Sequence, residues 1–321
     1  MSTADRAVRF HRLAGVDSLQ LDAVEATEPG PGQIRVRVVT AGLNPVDWKI
    51  LSGSSSRYSP TLPSVNGNDF AGVIDRVGAG VTERAVGDRV FGGARFHAQA
   101  DHLVVAADAV VAIPDEVPFA VAGVLDIAGR TAWASVASFG LGPQDTVFIS
   151  GAAGGVGVFS SQLARRTGAR VIGSCGADND ELLRGLGVEP VRYGDGLEQR
   201  LRDLAPDGIT AVLDQAGHGT IELALALGVA AHRINTITDP SAVERLGVTN
   251  IGGHSLTPGL PELGELAALV AGGQVRVPID AEFPLEQFAA AYAHLRGGHL
   301  SGKVLLRLID DAAIAQEATT W

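Results

Sequence analysis

A cluster of four glycines within seven residues, GAAGGVG at 151–157, is the feature that most constrains the fold of this chain. The apolar run TVFIS at 146–150 precedes the cluster, and Val156, within the cluster, begins a series with Phe159 and Leu163 at helical spacing. The order of strand, glycine turn and helix is that of a dinucleotide-binding fingerprint. The segment therefore predicts a parallel strand that leads into a helix whose N-terminus faces a phosphate group.

The positions of the glycines predict separate roles for them. Gly154 and Gly157 match the second and third glycines of the fingerprint, and Ala152 stands where the first belongs. Unpaired N–H groups in a first helical turn attract a pyrophosphate where no Cβ blocks its approach, so we expect access at Gly154 and Gly155. Gly157 is expected to let the helix pack closely on the strand. The alternative is a glycine-rich turn that binds no ligand.

Short apolar runs recur around this cluster with helix-length segments between them. The four predicted strands are 146–150, 169–174, 209–214 and 232–237. Alternation of strand and helix is typical of βαβ units, so this region predicts an α/β fold with a doubly wound parallel sheet.

The pattern of apolar residues is different on either side of this region. At 34–40, Ile34, Val36 and Val38 alternate with arginines, which predicts a strand with one buried face in a mostly β segment. Near the other end, a helix at 285–298 and a strand at 302–309 are expected. We expect these last elements to rejoin the first segment, which gives three parts, 1–118, 119–258 and 259–321.

Charge and cysteine content narrow the classes of partner. With 25 Lys and Arg against 36 Asp and Glu, the net charge of −11 disfavours nucleic acid and anionic membranes as partners. The sequence shows no signal-peptide pattern and no apolar run of about 20 residues, so a cytoplasmic protein is expected. Cys175 is the single cysteine, which excludes an intramolecular disulfide and a site built from several thiolates.

The end of the second predicted strand bears on the choice of nucleotide. An acidic residue there would bind the ribose of NADH, but the strand ends at Ser174. Arg192 and Tyr193 offer a cation and a hydroxyl for a 2′-phosphate, so NADPH is favoured over NADH. Asp178 and Glu181 have the spacing of a capping box and predict the start of the next helix.

Seven motifs, taken in their order and spacing, resemble the zinc-independent quinone oxidoreductase branch of the medium-chain dehydrogenase/reductase superfamily. They are AGLNPVDWKILSG (41–53), GNDFAGVIDRVGAGV (67–81), VGDRVFG (86–92), RTAW (130–133), GAAGGVGVFSSQLAR (151–165), LDQAG (213–217) and GGHLSGKVLL (297–306). The resemblance implies a GroES-like catalytic domain formed by 1–118 and 259–321 around a Rossmann NADP-binding domain at 119–258. It also implies a homodimer, with the active site between the two domains.

The resemblance also bears on metal binding. Zinc alcohol dehydrogenases of the superfamily carry a cysteine in the first of two metal-ligand motifs and a histidine in the second. The corresponding places in this sequence look like Asn44 and Asn68. Neutral carboxamides are poor zinc ligands, so no metal is expected.

The chemistry expected without a metal is conjugate hydride addition. Reduction of a simple ketone needs a group that stabilises an alkoxide, whereas an enone or a quinone spreads the developing charge. The sequence thus predicts an NADPH-dependent oxidoreductase that reduces a quinone or another α,β-unsaturated carbonyl compound. The alternatives are a metal-free carbonyl reductase or alcohol dehydrogenase, and a nucleotide-binding sensor or structural protein without turnover.

The resemblance assigns catalytic roles to Asn44, Asp47 and Tyr58. Each has a structural alternative, because Asn44 and Asp47 suit the start of a helix at Pro45 and Tyr58 can simply pack its ring. The expected cofactor-binding residues are Thr131, Ala152, Gly154, Gly155, Val156, Gly157, Ser174, Arg192, Tyr193, Gly217 and Lys303.

Overall fold

A computed structural model describes residues 4–53, 58–252 and 261–320, and these residues form three β-sheets flanked by helices. None of the helices in these three ranges combines the length and the apolar character that a membrane span requires.

The N-terminal part of the chain is mostly β, as predicted. Its elements are β1 (Asp5–Phe10), β2 (Leu19–Val24), β3 (Gln33–Gly42), α1 (Pro45–Leu51), β4 (Ser64–Val65), β5 (Asp69–Val77), β6 (Arg89–Gly93), β7 (His102–Ala106) and β8 (Val111–Ala112). Strands β2, β1 and β4 form a small sheet, and β3 is the centre of a larger one in which it pairs with both β5 and β7.

The expectation of one buried face for β3 is wrong. Ile34, Val36 and Val38 are fully buried, but Arg35 and Arg37 are also nearly inaccessible. Their guanidinium groups lie 2.6 Å from an Asp75 oxygen and 3.0 Å from an Asp101 oxygen, respectively. Ion pairs therefore cover the polar face of the strand.

The middle of the chain forms the parallel sheet. Its elements are α2 (Phe119–Ala122), α3 (Asp126–Ala137), β9 (Thr146–Ile149), α4 (Gly157–Arg166), β10 (Arg170–Cys175), α5 (Asp180–Gly185), β11 (Glu189–Arg192), α6 (Leu197–Leu204), β12 (Ala211–Asp214), α7 (Thr220–Ala226), β13 (Ile234–Thr236) and α8 (Ala242–Leu246). The order β11-β10-β9-β12-β13, with every neighbouring pair parallel, confirms the doubly wound α/β prediction.

The sheet is buried on both faces, as parallel sheets are. Val147 and Ile149 of β9 pack into one apolar cluster, and Phe148 packs into another on the opposite face. The sequence predicted four of these strands and missed β11. Because β11 is an edge strand with only Val191 buried, it carries too short an apolar signal to be detected.

The last part of the chain returns to the first. Its elements are α9 (Pro261–Ala271), β14 (Ile279–Pro284), α10 (Phe288–Gly297), β15 (Lys303–Arg307) and α11 (Asp311–Glu317). Strand β15 pairs antiparallel with β3 and parallel with β14, so the large sheet contains both parts of the chain. The Tyr292 hydroxyl of α10 also accepts hydrogen bonds of 2.7 Å from Asn66 and Gln99.

The domain boundaries stay predictions. The boundary expected after residue 118 falls between β8 and α2. The one expected after residue 258 lies outside the described residues.

Candidate active site

The turn between β9 and α4 is held against the end of β10. Gly151 N–H donates to Ser174 Oγ and Ala152 N–H donates to the Ser174 carbonyl, both at 3.0 Å. Ala152 is completely buried, and a Cβ added to Gly173 would lie only 2.5 Å from the Ala152 Cβ. The missing side chain of Gly173 therefore makes room for the alanine that stands in place of the first fingerprint glycine.

The other glycines of the turn have two different environments. A Cβ on Gly157 would lie 2.1 Å from the Gly151 carbonyl oxygen, so α4 begins against the backbone of the turn. A Cβ on Gly154 would meet nothing closer than that same oxygen at 3.2 Å, and one on Gly155 would meet the Lys303 side chain at 3.3 Å. Gly154 and Gly155 thus leave the backbone open, as a bound pyrophosphate requires.

A cleft of about 1110 Å³ separates this turn from the large sheet. We call its two sides the glycine wall and the polar wall. The glycine wall consists of Gly151, Gly154, Gly155, Val156 and Gly157, and the polar wall consists of Asn44, Asn68, Arg95, Asp126 and Lys303.

Gly302 and Lys303 connect the two walls. Gly302 N–H donates to the Ala153 carbonyl at 2.8 Å, next to the glycine wall. Gly302 has a φ of +108°, and a Cβ there would lie 2.2 Å from the Pro278 carbonyl oxygen, so only glycine fits. The next residue, Lys303, is nearly inaccessible and extends its side chain past Gly155 to the polar wall.

Asn44 is the residue that Lys303 reaches. Lys303 Nζ donates to Asn44 Oδ1 at 2.6 Å and to the Leu43 carbonyl at 3.3 Å. Asn44 precedes α1, and its N–H donates to Asp47 Oδ2 at 2.8 Å, so the capping role is also present. Asn44 Nδ2 is buried and finds no acceptor among the described residues. Because Lys303 occupies the amide oxygen, the amide N–H₂ group is the part left for a ligand.

A second cluster lies deeper in the polar wall. Asn68 Nδ2 donates to Asp126 Oδ2 at 2.8 Å and to Asp69 Oδ1 at 3.0 Å. The Ile127 N–H also donates to Asp69, and Arg130 lies 3.7 Å from Asp126 on the same helix. The Asn68 side chain is thus engaged with two carboxylates.

Burial shifts the protonation of these groups. Desolvation raises the pKa of Asp47 to about 7, and the neighbouring Asp69 charge adds to the shift. Desolvation likewise raises the pKa of Asp126 to about 6, again with help from Asp69. Burial lowers the pKa of Lys303, although the charges of nearby carboxylates oppose that effect. Shifted carboxyl groups beside a cleft are typical of functional sites.

The structure brings together eight of the predicted site residues in the lining of this cleft. They are Asn44, Tyr58, Thr131, Gly154, Gly155, Val156, Gly157 and Lys303. Asp47 is buried and accepts the Asn44 N–H, and Ala152 is the fully buried residue of the glycine turn. Gly217 follows β12 and donates its N–H to Asp214 Oδ1 at 2.8 Å.

Ser174, Arg192 and Tyr193 lie apart from the cleft lining, at the carboxyl ends of β10 and β11. Arg192 Nη2 is 3.1 Å from Asp180 Oδ2, and the Tyr193 hydroxyl is 2.9 Å from His299 Nδ1. The capping box predicted for Asp178 and Glu181 is wrong. Helix α5 begins at Asp180 without a side-chain cap, and the carboxylate of Asp180 binds Arg192 instead.

Sequence reasoning missed two members of the polar wall. Asp126 stands four residues before Arg130, so its place on the helix of the RTAW motif was a usable signal. Arg95 follows β6 in a segment without a motif, and only the fold brings it to the cleft.

No group of three or more His, Cys, Asp or Glu side chains in the described part of the chain is arranged to hold a metal ion.

Comparison with known proteins agrees with this architecture. Residues 30–115 match the family described as alcohol dehydrogenase GroES-like domain, and residues 188–306 match the family described as zinc-binding dehydrogenase. The chain belongs to the medium-chain dehydrogenase/reductase superfamily.

Individual members of the superfamily resemble the chain over nearly its whole length. A chloroplastic quinone-oxidoreductase homolog from Spinacia oleracea is 27% identical over 91% of this chain and 94% of its own. The 2-methylene-furan-3-one reductase of Solanum lycopersicum is 28% identical over 95% of this chain and 79% of its own. The structure of the quinone oxidoreductase from Coxiella burnetii has a TM-score of 0.83 at 26% identity, and the match covers 95% of this chain and 99% of that one.

These medium-chain relatives confirm the predicted pairing of a GroES-like domain with a Rossmann domain. They also support the quinone oxidoreductase branch and an NAD(P)-dependent oxidoreductase.

Proposed function

We propose that this protein is an NADPH-dependent, metal-free reductase of a quinone or another α,β-unsaturated carbonyl compound. The observation that carries the proposal is the buried Nδ2 of Asn44 in the cleft, which has no hydrogen-bond partner among the described residues. Lys303 fixes that amide and also packs beside Gly155. The Asn44 donor therefore lies within one lysine side-chain length of the glycine wall.

The glycine wall fits a dinucleotide. The N–H groups of Gly155 and Val156 are used by no backbone hydrogen bond of the described residues, and Gly154 and Gly155 have no Cβ of their own to cover the backbone. These groups would hold the pyrophosphate at the N-terminus of α4. When bound, the reduced nicotinamide supplies the hydride.

The polar wall would stabilise the charge that develops on the substrate. The β carbon of the enone accepts a hydride, the C=C electron pair shifts to join the α carbon to the carbonyl carbon, and the carbonyl π pair moves onto the oxygen to give an enolate. Asn44 Nδ2 donates a hydrogen bond to that oxygen, and the Lys303 cation strengthens the donor by holding Asn44 Oδ1. The Tyr58 hydroxyl is the proposed donor of the proton that completes the reduction.

The hydrogen bonds of Asn44 and Asn68 support a mechanism without zinc. Both stand where the resemblance places metal ligands, but Asn44 Oδ1 accepts from a lysine ammonium and Asn68 Nδ2 donates to two carboxylates. A Zn²⁺ ion at Asn44 would face the Lys303 cation, which is electrostatically unfavourable.

Arginines at the far end of the nucleotide site support NADPH. Arg184 and Arg192 lie 3.5 and 3.1 Å from the one carboxylate of Asp180, and Arg200 donates to the Arg192 carbonyl. The guanidinium of Arg192 is about half exposed, so it is accessible to a 2′-phosphate. Tyr193 and Ser174 complete the proposed contacts at this end.

Stopped-flow absorbance of the reduced nicotinamide tests the proposal, with quinones, enones and simple ketones as substrates. We expect NADPH oxidation with quinones and enones, unchanged by chelators, and no stoichiometric zinc in the purified protein. Binding of NADPH without any turnover would favour the sensor or structural alternative. Faster turnover of simple ketones would favour a carbonyl reductase.

The homodimer and the cytoplasmic location expected from the sequence stay predictions. Light scattering of the purified protein tests the first.

A further inference from the structure

Arg95 is a cleft residue that the proposed mechanism does not use. Its Nη1 is buried and has no hydrogen-bond partner among the described residues. No described carboxylate lies within 4 Å of its guanidinium, whereas Arg130 in the same lining lies 3.7 Å from Asp126. The charge of Arg95 acts over a longer distance and opposes the rise in the pKa of Asp47 and Asp126. A buried cationic nitrogen without a partner is costly unless a ligand supplies the missing acceptor.

The backbone around Arg95 is rigidly placed. Ala94 N–H donates to the Asn68 carbonyl at 2.7 Å, and Phe96 N–H donates to the Gly67 carbonyl at 2.9 Å. Phe96 has a φ of +66°, a left-handed conformation that a bulky residue rarely adopts. Strain of this kind persists where surrounding contacts enforce it, and it often marks functional sites.

The side chain of Arg95 is oriented as well. Its guanidinium carbon lies 4.2 Å from the centre of the Tyr58 ring, so the ring covers one face of the guanidinium. The N–H groups along the edge of the guanidinium then remain for a ligand, in the geometry that matches a carboxylate. A protein with a net charge of −11 needs such a local cation to retain an anionic substrate.

We propose that Arg95, stacked on Tyr58, binds a carboxylate of the substrate, so that the preferred substrates are unsaturated carbonyl compounds that carry an acid group. This inference rests on the proposed function. It assigns the substrate class of the cleft and gives Arg95 a role in specificity.

Product binding tests the subsite independently of turnover. Levulinate is the saturated product expected from β-acetylacrylate. Calorimetry measures the binding of levulinate and of methyl levulinate to the NADP⁺ complexes of wild type, Arg95→Met and Arg95→Lys. We expect wild type to prefer the acid by about 10- to 100-fold, Arg95→Met to lose that preference, and Arg95→Lys to keep part of it.

Arg296→Met is the matched control, because Arg296 lies over the Trp48 ring at 5.7 Å and is exposed. It removes the same charge and an arginine–aromatic contact, and we expect it to keep the preference for the acid. Equal binding of acid and ester by wild type would overturn the proposal. A comparable loss of preference in Arg296→Met would also overturn it, since net charge alone would then explain the effect.

The source of the anion is tested separately. If Arg95→Met weakens NADPH binding as strongly as acid binding, the anion is a phosphate of the nucleotide, and the proposal fails. Turnover of β-acetylacrylate and its methyl ester separates this inference from the proposed function. Acid-selective binding without NADPH oxidation would contradict the function alone, and turnover without selectivity would contradict the subsite alone.

Discussion

The glycine wall offers main-chain N–H groups to the cleft, whereas the polar wall offers the side chains of Asn44, Arg95 and Lys303. The members of the first all lie within one segment of seven residues, 151–157. The second joins residues that are 259 positions apart. A backbone site tolerates changes of side chain that respect its shape, but a side-chain site depends on the charge and hydrogen bonding of each member.

The largest effect is expected where the shape of the glycine wall is changed. Gly157→Ala places a Cβ 2.1 Å from the Gly151 carbonyl oxygen, so the turn must move. We expect a loss of about 3 kcal/mol in the free energy of unfolding and the loss of NADPH binding. Urea denaturation and nicotinamide fluorescence measure the two effects. Gly185→Ala is the control, because a Cβ there meets no atom within 4 Å. Near-native NADPH affinity in Gly157→Ala would contradict a nucleotide site that depends on the shape of the glycine wall.

Substitutions in the polar wall should change kcat rather than the affinity for the cofactor. Asn44→Ala removes the proposed donor to the carbonyl oxygen, and we expect kcat to fall about 100-fold with little change in the Kd for NADPH. Lys303→Met should cost less, and it should add little to Asn44→Ala because both act through one amide. Fully additive losses would show that Lys303 acts separately from Asn44.

The buried carboxyl of Asp47 makes the polar wall sensitive to pH. Its pKa is about 7 in the folded protein and near 3.8 when unfolded, so the folded state binds more protons between these values. Stability from this group is full below pH 4 and is lost as the pH rises through 7.

Asp47→Asn cannot ionise but keeps an acceptor for the Asn44 N–H. We expect the variant to gain on the order of 1–3 kcal/mol over wild type between pH 5 and pH 8. Thermal unfolding across this range measures the gain. Asp88→Asn is the control, since Asp88 accepts the Ala85 N–H in the same local pattern at the surface. A pH-independent difference for Asp47→Asn would contradict the assigned pKa.

The smallest effect is expected at the far end of the nucleotide, where the groups are exposed. Arg192→Ala should lower the preference for NADPH over NADH by about 10-fold, because an exposed charge contributes modestly. Arg202→Ala, which removes an arginine paired with Glu198 on α6, should leave the preference unchanged. Equal affinities of the wild type for the two nucleotides would overturn the choice of NADPH.

The two walls also differ in how far the sequence could predict them. The glycine cluster, its strand and its helix are adjacent in the chain, so local spacing was enough to predict the glycine wall. Asn44 and Lys303 were named through a resemblance, but their mutual hydrogen bond depends on the pairing of β15 with β3. Arg95 gave no signal, because the role proposed for it depends on a stacked ring and a strained neighbour that only folding creates.

The bond from Lys303 to Asn44 has a consequence for synthesis on the ribosome. The parallel sheet ends at Thr236, so it is complete in the nascent chain well before residue 303 is added. Domains generally fold as units during synthesis, so the glycine wall forms before Lys303 is added to the polar wall, whose other four members are synthesised earlier. Until Gly302 and Lys303 emerge from the exit tunnel, the growing protein has the glycine wall but lacks the lysine that fixes the Asn44 amide.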